Sequence, residues 1–204
     1  MPVITYLLTV GIDVIFISAG HNPLNPGARF GHFIEYDEAQ IWAKLLTEAL
    51  NELTRVPESP PAILVPTGLL KEKAKFINAR ALPGDIAVEI HFNDATDGEG
   101  AHIGSGCEVL HYPSSEKGKA LASSVLEPLA VVFPPSRGVK AGWYRLDPKF
   151  GPDFFLAKTN CPAIIIEPEF VRNAETIRLK RDAAIAAVAF GLRDHVYGRK
   201  RNNN

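Results

Sequence analysis

Val14-Ile-Phe-Ile17, then Ser18-Ala-Gly-His-Asn-Pro-Leu-Asn-Pro-Gly-Ala28, then the stretch from Tyr36 to Leu53 decide the architecture. The apolar run reads as a buried strand. The Pro/Asn/Gly segment after it reads as a loop. From Tyr36 to Leu53 the residues Ile41, Leu45, Leu46, Ala49, Leu50 and Leu53 recur at helical spacing. Strand, loop and helix in that order form the opening unit of an α/β domain.

The same alternation continues outward. Pro57, Pro60 and Pro61 end the helix, and Ala62–Val65 reads as a second strand. Leu69–Arg80 reads as a helix, Ile86–His91 as a third strand, Cys107–Tyr112 as a fourth and Glu116–Val131 as a helix. Residues 132–153 carry Pro134, Pro135, Gly138, Gly142, Pro148, Gly151 and Pro152, and read as one long loop, functional or flexible. Ala163–Glu167 reads as the last core strand. Ile185, Val188, Ala189, Leu192 and Val196 form the stripe of a C-terminal helix. The expectation is a single α/β domain, with a mostly parallel or mixed central sheet flanked by helices and ligand sites at strand ends. The domain is expected to span residues 1–198, with 199–204 as a basic, Asn-rich, disordered tail. Within the apolar start MPVITYLLTVGIDVIFIS, the segment before Val14 reads as an earlier strand or arm; Asp13 interrupts it short of a membrane span.

Composition narrows the class. In 204 residues, 46% are hydrophobic and 22% charged, a profile that supports a real core. The net charge of −1 gives no bulk attraction to nucleic acid. Two cysteines, Cys107 and Cys161, form no CxxC pair, which excludes a cysteine-based zinc site. The start lacks a basic n-region, so the expectation is synthesis in a cytoplasm without a signal peptide, with action after release. Sixteen prolines against one methionine and two cysteines suit a heat-adapted protein.

Three chemically capable residues fall at strand ends: His21 after the first clear strand, His91 at the third and Glu167 at the last. Glu35 stands just before the long helix. Two imidazoles and a carboxylate suit a catalytic zinc, with the fourth position left to water. Spacing alone is also compatible with hydrogen-bonded histidines at strand ends.

The wording of the segments goes further. Ser18-Ala-Gly-His-Asn-Pro-Leu-Asn-Pro-Gly-Ala28 is similar to a D-A-G-H-G-G-x-D-P-G-A stretch. Phe76-Ile-Asn78 with Glu89-Ile-His-Phe-Asn-Asp-Ala95 is similar to I-N…S-I-H-x-N-A. Gly106-Cys-Glu-Val-Leu-His-Tyr112 is similar to G-x-E-V-x-Y. An Arg-Gly-Val-Lys segment stands at Arg137–Lys140, and Thr159–Phe170 is similar to T-x-C-P-A-hydrophobic-E-x-x-F. In this order, over roughly residues 12–192, the chain resembles the zinc-dependent N-acetylmuramoyl-L-alanine amidases. That group includes sporulation, cell-division and phage lysis enzymes. The resemblance implies His21, Glu35 and His91 as ligands of one zinc ion per chain and Glu167 as the catalytic carboxylate. It implies hydrolysis of the amide between N-acetylmuramic acid and L-alanine in peptidoglycan. Three departures stand out. Ser18 replaces an acid, which removes a partner for a ligand; Asn22-Pro23 replaces Gly-Gly; and Glu167-Pro-Glu-Phe170 adds a second acid, Glu169.

Other residues carry lesser expectations. Asn93, Arg137 and Lys140 are candidates for substrate binding, the last two through a stem-peptide carboxylate. Trp143 and Tyr144 are candidates for stacking on substrate. His32, His102 and His111 read as surface or cleft histidines rather than ligands. Glu38, one turn from Glu35, is an alternative acid there. Arg172–Arg201 holds eight Lys/Arg against three acids, a solvated face or a contact to an anionic cell surface or membrane. The chain is expected to be a monomer. A phage endolysin is the setting expected for a catalytic domain without leader or wall-binding domain. Three rivals remain: a regulatory or structural protein with no ligand, a wall-binding module of the same fold without catalysis, and a zinc peptidase acting on stem peptides. Such a peptidase usually shows HExxH, absent here; the tight His-x-x-Glu spacing occurs once, at His32–Glu35.

Overall fold

The computed structural model describes residues 13–53, 60–144 and 147–202. The earlier strand or arm expected before Asp13 lies outside the described residues. Eight strands are present in this order: β1 (Ile15–Ala19), β2 (Arg29–Phe30), β3 (Phe33–Ile34), β4 (Ala62–Leu64), β5 (Ile86–Ile90), β6 (Cys107–His111), β7 (Ser136–Ala141) and β8 (Ala163–Glu167). Five α-helices intervene or follow: α1 (Glu35–Leu53), α2 (Leu70–Asn78), α3 (Glu116–Val132), α4 (Phe154–Lys158) and α5 (Ala174–Asn202). The main sheet has the order β4-β1-β5-β8-β6-β7. The first four of these run parallel; β6 runs antiparallel to β8, and β7 parallel to β6. The expected mixed, mostly parallel sheet is therefore the one observed.

Alternation along each strand splits the core in two. Ile15, Ile17, Ile86, Val88, Ile90, Val109, Ile164 and Ile166 pack with α1, α3 and α5. Val14, Phe16, Ala87, Leu110, Ala163 and Ile165 pack with Ile77 of α2 and with Phe155 and Leu156 of α4. Strands covered on both faces read as unbroken apolar runs. Each fully buried isoleucine here contributes about 1.5–3 kcal/mol. Ser18, Glu89, Glu108 and Glu167 alternate onto the α2/α4 face, which is how polar groups enter an otherwise apolar sheet.

Several sequence expectations need correction. The long loop 132–153 is interrupted by β7, a short 3-10 turn at Pro148–Phe150 and the lead-in to α4. β7 is an edge strand with exposed to half-exposed side chains, and Gly138 breaks its pattern at φ +89, so it carries no apolar run. The two-residue strands β2 and β3 form a hairpin between the loop that ends at Ala28 and Glu35, a stretch to which the sequence pattern assigns no element. The buried spine of α1 is Ala39, Trp42, Ala43, Leu46 and Leu50, while Ile41 is 43% exposed. The apolar stripe therefore lies one step round from the expected one. The expected α5 stripe, Ile185 to Val196, is buried in the core. The α5 backbone runs to Asn202, into the stretch expected to be tail. Among the described residues no helix is long and apolar enough to cross a membrane. Both cysteines are free and buried.

Candidate metal centre

His21, Glu35 and His91 converge, with one ligand atom from each lying within 4.8 Å of the others. The backbone explains this. β1 and β5 are parallel and in register from Ile15↔Ile86 to Ala19↔Ile90, and Gly20 N–H donates to the Ile90 carbonyl at 2.7 Å. His21 and His91 therefore leave neighbouring strands at the same level. Glu35 arrives as the first residue of α1, placed by two backbone bonds from Glu35 N–H to Ala28 O and from Tyr36 N–H to Pro26 O, each 3.0 Å.

Glu35 is the centre of the group and is buried. Its Oε2 lies 2.9 Å from His21 Nε2 and accepts from Ala28 N–H at 2.9 Å. Its Oε1 lies 3.0 Å from His91 Nδ1 and accepts from Phe92 N–H at 3.0 Å. Burial opposes ionisation of Glu35, but hydrogen bonds to His21 and His91 and the charge of both rings outweigh it and hold the carboxyl far below the usual range. Burial likewise disfavours the charged form of His91, yet bonds to Glu35 and Glu89 hold that imidazole well above its ordinary value. The imidazole rings meet edge to face with centroids 4.7 Å apart. Both remain partly open to solvent, at 23% and 19% side-chain exposure, so a small ligand can reach them.

The cradle is built for these groups. His21 has φ +61, a left-handed conformation uncommon outside glycine and costing on the order of 1–3 kcal/mol. A Cβ at Gly20 would stand 2.6 Å from the His91 ring, and one at Gly27 2.4 Å from Glu35 Oε2 and 2.5 Å from His21 Nε2. A His₂Glu donor set with an exposed side fits a catalytic divalent ion of the zinc type. Glu38 points elsewhere: it accepts from Trp42 Nε1 and pairs with Arg181 of α5, both at 3.1 Å.

Glu167 and Glu169 are two residues apart and differ in kind. Glu169 is buried, and its Oε1 accepts from Gly106 N–H, Phe170 N–H and Asn173 Nδ2. Glu167 follows Ile166, the register partner of Ile90, so it stands level with His91 on the next strand. No hydrogen bond to its carboxyl is present among the described residues. Burial pushes that carboxyl up to about 7; Glu108 and Glu35 add to this, while His91 and Lys140 oppose it.

Two buried acids flank the group. Glu89, 1% exposed, accepts from Ser18 Oγ at 3.1 Å and from Lys73 Nζ at 3.2 Å through Oε1, and faces His91 Nε2 at 3.2 Å through Oε2. Ser18 is its register partner on β1. The acid absent at position 18 is thus answered by a carboxylate from the neighbouring strand. Glu108, also 1% exposed, accepts from Asn93 Nδ2 and Arg137 Nε, both at 2.8 Å, and pairs with Lys140 Nζ. The Arg137 guanidinium also lies 4.9 Å from the centroid of Phe170. Asn93, Arg137 and Lys140 therefore form one cluster, linked through Glu108 on β6.

Other expected residues lie apart. His102 pairs with Asp94 at 2.7 Å and His111 Nδ1 with the Tyr112 carbonyl at 2.8 Å; His32 is exposed. Trp143 is partly exposed, and Tyr144 is 51% exposed. Lys73, Glu89 and Glu108 had no role in the sequence reading. Their signal was a charge inside an apolar pattern: Lys73 beside Ala74 and Ile77 on one helical face, Glu89 inside Ile86-Ala-Val-Glu-Ile90.

Comparison with known proteins bears on the whole chain. Amidase AmiC2 of Nostoc punctiforme superposes with a TM-score of 0.72 at 20% identity, covering 95% of this chain and 99% of that one. The CwlD amidase from Clostridioides difficile, solved with the GerS lipoprotein, gives 0.74 at 19%, covering 91% and 99%. The catalytic domain of the CD27L endolysin targeting Clostridia difficile gives 0.66 at 23%, covering 88% and 96%. These likenesses show the fold. Among curated proteins none matches by sequence. A family profile described as N-acetylmuramoyl-L-alanine amidase matches residues 15–192, the span that carries every strand of the sheet and the whole His21–Glu35–His91 cluster, and the chain belongs to that family of peptidoglycan amidases.

Proposed function

We propose that the protein is a zinc-dependent hydrolase that cleaves the amide between the lactyl group of N-acetylmuramic acid and L-alanine of the stem peptide. The observation that carries this is the convergence of His21, Glu35 and His91 beside a carboxyl, Glu167, that has no hydrogen-bond partner among the described residues. Bound to the three donors, zinc would polarise the amide carbonyl and acidify the attacking water towards a pKa of about 7. Glu167 acts as general base and takes the water proton at a carboxylate oxygen. A value of about 7 suits a group that must accept and then release a proton near neutral pH. As the C–N bond breaks, Glu167 returns that proton to the departing alanine nitrogen. The products are a lactyl carboxylate and a free alanine amine. Arg137 and Lys140 bring two positive charges to the single negative charge of Glu108, which leaves one in excess for a stem-peptide carboxylate. Asn93, tied to the same acid, lines that side.

The test uses purified peptidoglycan, with chelator and with zinc added back. Alanine amines that vanish with chelator and return with zinc are the expected result. Reducing sugars would mean a glycosidase. Zinc uptake without new ends would favour a wall-binding module. The lytic setting is part of the proposal, supported by the likeness to an endolysin catalytic domain. Protein added to wall-exposed cells should then clear the suspension. Cleavage of purified wall without clearing would argue for a setting inside the producing cell.

A further inference from the structure

We propose that Lys73 and Glu89 are positioning residues for the metal ligands, a buried charged pair that fixes the ring of His91 from one side and the backbone of His21 from the other. The inference rests on the metal-centre reading and concerns residues outside the ligand set.

Lys73 is 2% exposed and Glu89 1%. Burying two charges is costly, and an apolar pair of the same volume is often as stable or more so. Packing alone therefore gives no reason for this pair. Its bonds do. All three donors of the Lys73 ammonium are used: on the Ala19 carbonyl, on the His21 carbonyl at 2.8 Å and on Glu89 at 3.2 Å. The two carbonyls bracket the turn that carries His21 in its left-handed conformation, the kind of strain that persists only where neighbours over-determine it. Glu89 spends one oxygen on Ser18 and Lys73 and the other on His91 Nε2.

The consequence for His91 is specific. A carboxylate at Nε2 keeps the proton on that nitrogen, so Nδ1 is the atom left to face Glu35 and an ion held beside it. The lack of a Cβ at Gly20 gives the ring its seat. Lys73 reaches the site from α2, across the face on which Ser18, Glu89 and Glu167 alternate. One ammonium thus links the alignment of both histidines.

The experiment compares wild type with the Lys73→Met/Glu89→Gln double variant, which removes both charges together and leaves no lone buried ion. Circular dichroism and the melting curve confirm that the variant is folded. Zinc affinity is read by competition with a chromophoric chelator, and the His91 side chain by ¹H–¹⁵N correlation. The expected result is about 10–100-fold weaker zinc binding in the variant. With it goes loss of a slowly exchanging His91 Nε2 proton that wild type shows with and without zinc. Equal zinc affinity in both folded proteins overturns the proposal and leaves the metal reading intact. If the variant does not fold, the wild-type spectrum decides: a protected proton on Nδ1 of zinc-loaded His91, with zinc on Nε2, overturns it. A wild type that takes up no zinc fails the metal reading itself, and this inference with it.

Discussion

Glu89 and Glu108 are equally buried acids on the same face of one sheet, and they are spent in opposite ways. Glu89 meets one lysine that is itself buried, and its remaining contacts are Ser18 and His91. Glu108 meets two cations, each about one-third exposed, and one amide. On the first side the charges cancel and nothing is left over for a ligand. On the second, one positive charge remains and faces water. Burial of the carboxylate is the same in both; what differs is whether the partner cation is buried too. The closed side is suited to holding geometry and the open side to recognising an anion.

Glu167, on β8, stands between the strands that carry the two acids. Replacing Glu167 with Ala should cost at least ~10²-fold in kcat while zinc stays bound, as for loss of a general base. Full activity in that variant would remove the centre that the two sides are said to serve. Replacing His91 with Ala should instead abolish zinc uptake, measured by metal analysis after dialysis. On the open side, Arg137→Ala should raise KM about tenfold, the scale of one charge-assisted hydrogen bond, with kcat and zinc content little changed. A fall in zinc affinity there would break the division of labour. A gentler probe is salt: wild-type KM should rise a few-fold between low and physiological ionic strength, and less in Arg137→Ala.

The smallest effect concerns stability of the metal-free protein. Folding raises Glu167 from 4.5 to about 7, so the folded state binds this proton more tightly than the unfolded chain. That contribution is fully present below about pH 4.5 and is lost as pH rises through about 7. Glu167→Gln should therefore melt higher than wild type at pH 8, by about 2–4 °C for each kcal/mol regained, and show a smaller gain at pH 5. Equal gains at both values would mean that the carboxyl is not perturbed.

The sequence revealed the fold where strands were covered on both faces. Ala163–Glu167 is a strand with the bounds its apolar run implied, the β4 and β5 readings end one residue beyond the observed strands, and the β1 reading ends two residues short. β7 escaped because its side chains are exposed to half-exposed and form no apolar run, and Pro134, Pro135 and Gly138 resembled loop signals. The α1 stripe was misplaced because Ile41 is more apolar by type than Ala39 and Ala43, yet the small residues are what fit against the sheet. For the site, segment wording pointed to His21, Glu35 and His91, and their convergence is visible only in three dimensions. Lys73 and Glu89 were illegible for a different reason. A single buried charge looks like an error in an apolar pattern until its partner, sixteen positions away, is seen to answer it.

His21, His91 and Glu167 hang from the ends of three adjacent strands whose levels are set by hydrogen-bond register. Phe92 N–H holds Glu35, but residues 94–103 supply none of that row's hydrogen bonds among the described residues. Shortening, lengthening or exchanging them should therefore alter which cell walls are accepted without altering how the bond is broken. The domain is, in that sense, a fixed cutting edge with interchangeable guards, and grafting a guard from another wall hydrolase of this fold is a direct route to retargeting it.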